Sequence, residues 1–349
     1  MKNENYFIDF LRFVFSLIIL LYHSWLFSYA YGYGLFNCGM LAVDFFFIVT
    51  GYLMINSMYK REKNTNIFKD NLSFIFGKIK GLFPALLLAF IIGILLVCNF
   101  DIKVIYTFVK GNIDNLMAEI GFLSIFGYPL LINNTWWYIS AMLIIMFIVY
   151  PLSKKYKEKY TFYIAPIIIL ITIGLIKALN INIHDSNLRV FYLTAGFYRG
   201  IVYLLLGNIC FEVTKALNHK KINNKKRMIL SFIEIVSYIV LIVNMHFNFL
   251  GTLLHSIMMF SAITLSFSEL TWTSRLFKSR KWKELGKYGF YIFLVQVSVR
   301  TFLHNNYAFS YKKMLVLYVG LSCLIALIIY VMVEIIYKKL ILSKFKNSN

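Results

Sequence analysis

Long apolar runs alternate with short polar clusters along the whole chain. The runs cover residues 7–28, 39–58, 74–97, 136–153, 160–177, 192–213, 228–246, 249–267, 288–305 and 314–337, each closed by charge or by Gly and Asn. A helix needs roughly 20 mainly apolar residues to cross the hydrocarbon of a bilayer, so the pattern predicts about ten transmembrane helices. The expected fold class is an all-α polytopic membrane bundle. It fills residues 1–349 as one domain with no appended soluble domain, because the 99–135 connection carries an apolar piece of its own. That piece, 120–132 with Pro129, is too short to span and is expected to lie at the interface or re-enter.

Composition agrees with a lipid solvent: 60% of residues are hydrophobic and 15% charged, with mean hydropathy +0.70. A net charge of +21 would suggest nucleic acid in a soluble protein. Here the positions of the charges exclude that partner. Of the 36 Lys and Arg, 27 fall in one set of alternate connections and 8 in the other, with Arg12 inside the first helix. Basic residues mark cytoplasmic loops and favour anionic lipid surfaces, so both termini and the loops near residues 60, 156, 222 and 280 are expected in the cytoplasm, in a multi-pass cell-membrane protein. The first apolar run has no small-residue cleavage site and stays as a helix. Cys38, Cys98, Cys210 and Cys323 stand apart, so neither a metal site nor a disulfide framework is expected. No internal repeat is visible, which weakens an inverted-repeat transporter.

Ionisable groups inside a span are expensive and point to function. Arg12 and His23 are 11 residues apart in the first run. At helical periodicity that is within about 20° of three full turns and about 16 Å along the axis, one face at two depths. Asp44 enters the second run at the depth of His23, where a carboxylate orients an imidazole and stabilises its protonated form, as a general base requires. The alternatives are plainer: Arg12 snorkels to lipid phosphates, His23 bonds a neighbouring carbonyl, and Asp44 is solvated by the outer loop. Glu212 and Glu334 near cytoplasmic helix ends are expected to be solvated or paired with nearby lysines. Glu234 is deeper, and His246 and His304 fall in or beside outer turns. Trp136, Trp137 and Tyr138 stand at an outer entrance, where aromatic faces stack on sugar rings.

Arg12, His23 and the stretch Asp44-Phe-Phe-Phe-Ile-Val-Thr-Gly51-Tyr-Leu together resemble the signature of the integral-membrane acyltransferase-3 family. Trp137-Tyr-Ile-Ser-Ala141, Arg199-Gly200 with Tyr203 and Gly207, and Tyr288-Gly-Phe290-Tyr291 through Gln296 resemble its later segments in order. Two positions depart from the family pattern. Lys78, Lys80 and Gly81 stand where arginines precede Pro84, and Gln296 stands where a histidine is usual. A lysine offers phosphate a point charge without the guanidinium fork, and a glutamine bonds a hydroxyl without shuttling a proton.

The resemblance implies a ten-helix bundle that moves an acyl group, usually acetyl, from cytoplasmic acyl-CoA to a hydroxyl of a cell-surface or lipid-linked carbohydrate. No cofactor is held permanently; acyl-CoA is a co-substrate. On this reading Arg12, Lys78 and Lys80 bind the acyl-CoA phosphates, His23 is the general base oriented by Asp44, and Trp137, Arg199 and Gln296 contact the acceptor. Some relatives carry an extracytoplasmic hydrolase-like domain, so the expectation here is direct transfer or relay through a separate acyl-accepting protein. A transporter or flippase for a lipid-linked sugar or small solute is the alternative, since intramembrane charges suit it as well.

Overall fold

The structure, a computed structural model, describes residues 5–28, 35–61, 66–183 and 185–337. Lys2, Lys63 and the four lysines beyond 337, all counted above as cytoplasmic, lie outside the described residues. Among the described residues thirteen α-helices and one two-stranded hairpin follow in chain order: α1 Tyr6–Tyr22, α2 Ala42–Lys60, α3 Ile67–Val97, α4 Ile102–Gly111, α5 Ile113–Ile120, α6 Trp137–Lys159, α7 Ala165–Ala178, β1 Arg189–Val190, β2 Leu193–Thr194, α8 Ala195–Asn218, α9 Asn224–Phe247, α10 Thr252–Phe267, α11 Thr273–Leu276, α12 Lys281–Asn306 and α13 Tyr311–Tyr330.

Every expected apolar run falls on helix. Seven helical stretches among the described residues have the length and apolarity to cross a membrane. One of them, Asn134–Ala178, is 45 residues long, about twice what a bilayer needs. It breaks at Lys157, whose φ of 47° and ψ of −121° are not helical. Glu158 then meets Lys215 at the end of α8 (3.3 Å) and Tyr160 meets Asn208 one step back (3.0 Å), while Gly196 at the start of α8 bonds Ser186 beyond α7. The chain therefore runs down α6 and returns along α7. The remaining two expected spans are the shorter α10 and the more polar α12.

Helix packing relies on close backbone approach. α2 packs most extensively on α8, and α1 on α12. A Cβ on Gly51 would strike the Leu204 carbonyl, and one on Gly207 the Ile48 carbonyl, so the two glycines allow α2 and α8 to touch main chain to main chain, as small residues do in membrane bundles. The basic connections gather at one end. There Asp70 takes Lys154 at 2.5 Å and Arg61 at 3.4 Å, Lys215 pairs with Glu158 and Glu212, and Lys287 pairs with Glu284 and Glu334. The pairing of Glu212 and Glu334 with lysines is as expected. Glu234 is buried and accepts hydrogen bonds from Ser266 and Thr273, which makes it part of the packing of α9 against α10 and α11.

The 99–135 connection is more ordered than an interfacial loop. After α4 and α5, the buried Glu119 accepts hydrogen bonds from the backbone N–H groups of Leu131, Ile132 and Asn133 at 2.9–3.2 Å. Burial holds its carboxyl above the ordinary carboxylate range, against those three N–H groups, which lower it. The bonds fold the strand of chain after Pro129 back into the bundle, just ahead of α6.

Candidate active site

Two cavities lie along the axis of the bundle. One, of about 250 Å³, faces the lysine-rich half and is lined by Arg12, Thr50, Lys78, Gly81, Met142 and Met146 with neighbouring apolar side chains. The other, of about 290 Å³, opens at the opposite end, where its lining includes His23, Trp25, Trp137, Tyr138, Arg199 and Arg300. Arg12, within α1, and His23, at its C-terminal cap, belong to different cavities. The α-helical geometry stops at Tyr22, and His23 opens a tighter 3₁₀ turn through Ser28.

A thin wall separates the cavities. Thr50 lines one and Tyr138 the other, and their hydroxyls are 3.1 Å apart. Phe46, Phe47 and Phe293 pack their rings around Tyr138.

In the first cavity the Arg12 guanidinium is tethered by Asp9 one turn earlier, at 3.0 Å, and remains partly open. Lys78 lies beside it on α3, which starts seven residues before the expected span and so presents its basic residues on a helix. Lys80, about 200° further round that helix, is exposed and does not line the cavity.

In the second cavity the expected pairing of Asp44 with His23 gives way to another. The contact of α2 with α8 brings Asp44 to Arg199, with Nε 2.7 Å from Oδ1, and both side chains are almost wholly buried. Arg199 also donates to the Met40 carbonyl at 2.9 Å. One buried charge has neutralised the other, as burial demands, so Asp44 does not orient His23. The neighbour of His23 is instead Arg300 from α12, with Nη1 3.5 Å from the ring Nδ1. The Arg300 guanidinium also lies over the Trp25 ring at 5.9 Å, and its Nε has no hydrogen-bond partner among the described residues.

The polar rim comes from two irregular segments. Asn133 and Thr135 donate to the Leu294 and Phe293 carbonyls of α12, which fixes the entrance of α6. The 185–187 loop is held over the start of α8 by the bond from Gly196 to Ser186, and Asn187 donates to Asn134 across the mouth at 2.6 Å. Trp137 lines the cavity as expected. Gln296 is fully buried, bonds Phe293 within its own helix at 3.4 Å, and is not among the lining residues of either cavity. Arg300, Trp25, Asn134 and Asn187 were not anticipated as site residues. Arg300 carried a readable signal, since it is an intramembrane charge within the 288–305 run.

Comparison with known proteins places the chain in a family. The chain is 25% identical over 343 residues to "Putative O-acetyltransferase SACOL0978" of Staphylococcus aureus strain COL, and equally to "Putative O-acetyltransferase SAS0844" of strain MSSA476 and "Putative O-acetyltransferase SAR0937" of strain MRSA252. The match covers 90% of this chain and 54% of each relative, so the chain spans about half the length of the curated relatives it matches. No solved structure matches it. A family model described as an acyltransferase domain matches residues 5–334, nearly the whole of the helical bundle that holds both cavities, and the chain belongs to this acyltransferase family.

Proposed function

We propose that the protein is a multi-pass O-acyltransferase that carries an acyl group, acetyl by family habit, from cytoplasmic acyl-CoA to a hydroxyl of an extracytoplasmic carbohydrate. The reading takes ten spans with both ends in the cytoplasm, following the distribution of Lys and Arg. The observation that carries it is the pair of cavities meeting at Thr50 and Tyr138, with cations in one and an imidazole in the other.

Arg12 and Lys78 hold the phosphates of the donor. Its pantetheine arm threads the Thr50–Tyr138 contact and brings the thioester to His23. The imidazole takes the proton of the acceptor hydroxyl as the oxygen attacks the thioester carbonyl carbon. The carbon–sulfur bond then breaks, and the imidazolium returns the proton to the departing CoA thiolate, leaving an ester. Trp137 and Trp25 offer ring faces to the sugar, and Asn134 and Asn187 meet its hydroxyls.

The test is acyl transfer from labelled acetyl-CoA to surface glycan, measured per folded molecule in sealed vesicles of wild type, His23→Gln and Arg12→Ala. Glutamine keeps much of the size and bonding of His23, so turnover should fall by about 10²–10⁴ with folded protein maintained. Arg12→Ala should raise the KM for acetyl-CoA, and Arg12→Lys should recover it in part. Normal transfer in His23→Gln would overturn the base assignment. Solute movement without ester formation in the wild type would favour a transporter.

A further inference from the structure

The second cavity is electrostatically incomplete. It contains two arginines, and Asp44 neutralises only Arg199. Arg300 has no ion-pair partner among the described residues, and its Nε lacks a hydrogen-bond partner while one of its terminal nitrogens lies against His23. Asp185 is the one carboxylate among the lining residues. It sits exposed on the 185–187 loop and makes no ion pair with Arg300. A base that ends its step as an imidazolium next to an uncompensated guanidinium meets like-charge repulsion. A negative group near the base would stabilise its protonated form, and the carboxylate at the right depth, Asp44, is already committed to Arg199.

We infer that the missing negative charge arrives with the acceptor: the carbohydrate bears a carboxylate or phosphate close to the acylated hydroxyl, and Arg300 binds it. The geometry suits that ligand. A guanidinium presents parallel N–H groups that match carboxylate or phosphate oxygens two at a time, and the free Nε provides one edge of such a pair. Trp25, which packs against the same guanidinium and is 41% exposed, gives the attached sugar ring an apolar surface. Once seated, the anion neutralises Arg300 and stabilises His23 in its protonated form, so the substrate supplies the role that Asp44 has ceded to Arg199. No covalent step is added to the acyl transfer described above. The inference specifies the acceptor class of that same site and rests on that reading.

The experiment uses purified full-length protein in nanodiscs of zwitterionic lipid, with acetyl-CoA as donor. The acceptors are a neutral methyl hexoside, the corresponding methyl hexuronoside and the corresponding methyl hexoside phosphate. For the wild type, kcat/KM for ester formation should favour at least one charged acceptor over the neutral one by about tenfold or more, and which one it favours distinguishes carboxylate from phosphate. Arg300→Gln should reduce that preference to near unity, mainly through the KM of the charged acceptor, and Arg300→Lys should retain part of it. The thermal unfolding of the same preparations is followed with each sugar alone. Equal kcat/KM for neutral and charged acceptors in an active wild type, or a preference that survives in Arg300→Gln, would overturn the inference. Absence of transfer to all three sugars counts against the acyltransferase reading, and the unfolding arm then decides separately. Stabilisation of the wild type by a charged sugar and its loss in Arg300→Gln uphold the anion site, whereas no such stabilisation overturns it. If Arg300→Gln does not fold, Arg300→Lys is read in its place, with a smaller but definite fall in preference required.

Discussion

The ion pair of Asp44 and Arg199 is an expensive arrangement, because each side chain has left water almost completely. Removing one partner leaves the other buried and uncompensated, which typically costs about 3–5 kcal/mol. Asp44→Asn should therefore lower the unfolding temperature and the amount of folded protein in the membrane. The double variant Asp44→Leu with Arg199→Met should regain much of that stability, since an apolar pair of similar volume needs no desolvation. Thermal unfolding and acyl transfer, measured on the same detergent preparations, separate the possibilities. An Asp44→Asn protein that is as stable as wild type but as slow as His23→Gln would place Asp44 in the proton path and remove its structural role. His23 itself depends on neighbours from three elements: its own 3₁₀ turn, Arg300 of α12 and the rim built by the residues before α6.

Among the elements, the segment between α5 and α6 has the most influence on the shape of the site. Glu119 satisfies three successive backbone N–H groups, from Leu131 to Asn133, and the bonds from Asn133 and Thr135 to α12 follow directly from that fold. Glu119→Gln keeps the size but leaves fewer acceptor sites for the same donors, and should cost about 1–3 kcal/mol. The pH dependence gives a second signature. The carboxyl is raised above its ordinary 4.5 in the folded protein, so its proton stabilises the fold below that pH, and this contribution is lost as the pH rises through the raised value. Unfolding temperature recorded against pH should show this slope in wild type and lose it in Glu119→Gln. An identical slope in both proteins would remove Glu119 as its source. The same variant should also reduce transfer, because Asn134 and Trp137 would no longer be fixed at the rim.

At the scale of the molecule, the proposed transfer has donor and acceptor approach from opposite sides of the membrane. Cysteines at Tyr156, Ile222 and Arg280, placed one at a time in a cysteine-free background, should react with an impermeant maleimide only after the membrane is opened. A cysteine at Asn187, on the exposed loop over the second cavity, should react in intact cells. Labelling of the first three from outside with protection of the fourth would invert the assigned orientation, and with it the direction of transfer.

The alternation of apolar runs and basic clusters was enough to define a helical membrane bundle and the helix that carries each candidate residue, because lipid leaves helices as the form in which such runs satisfy their own backbone. Periodicity likewise placed Arg12 and His23 at two depths, since the first lies within a single helix and the second caps its end. Contacts between helices were beyond that logic. Asp44 and Arg199 are 155 residues apart and His23 and Arg300 are 277 apart, and no local rule states which cation a buried carboxylate will meet. Close packing of α2 on α8 through Gly51 and Gly207 decided the first pair, and the docking of α1 on α12 decided the second. The loop between α5 and α6 escaped for a related reason: its order comes from one buried carboxylate that binds backbone groups more than ten residues away. Pattern along the chain reports which surfaces avoid water, and only the packing of those surfaces determines which charges are left to face a ligand.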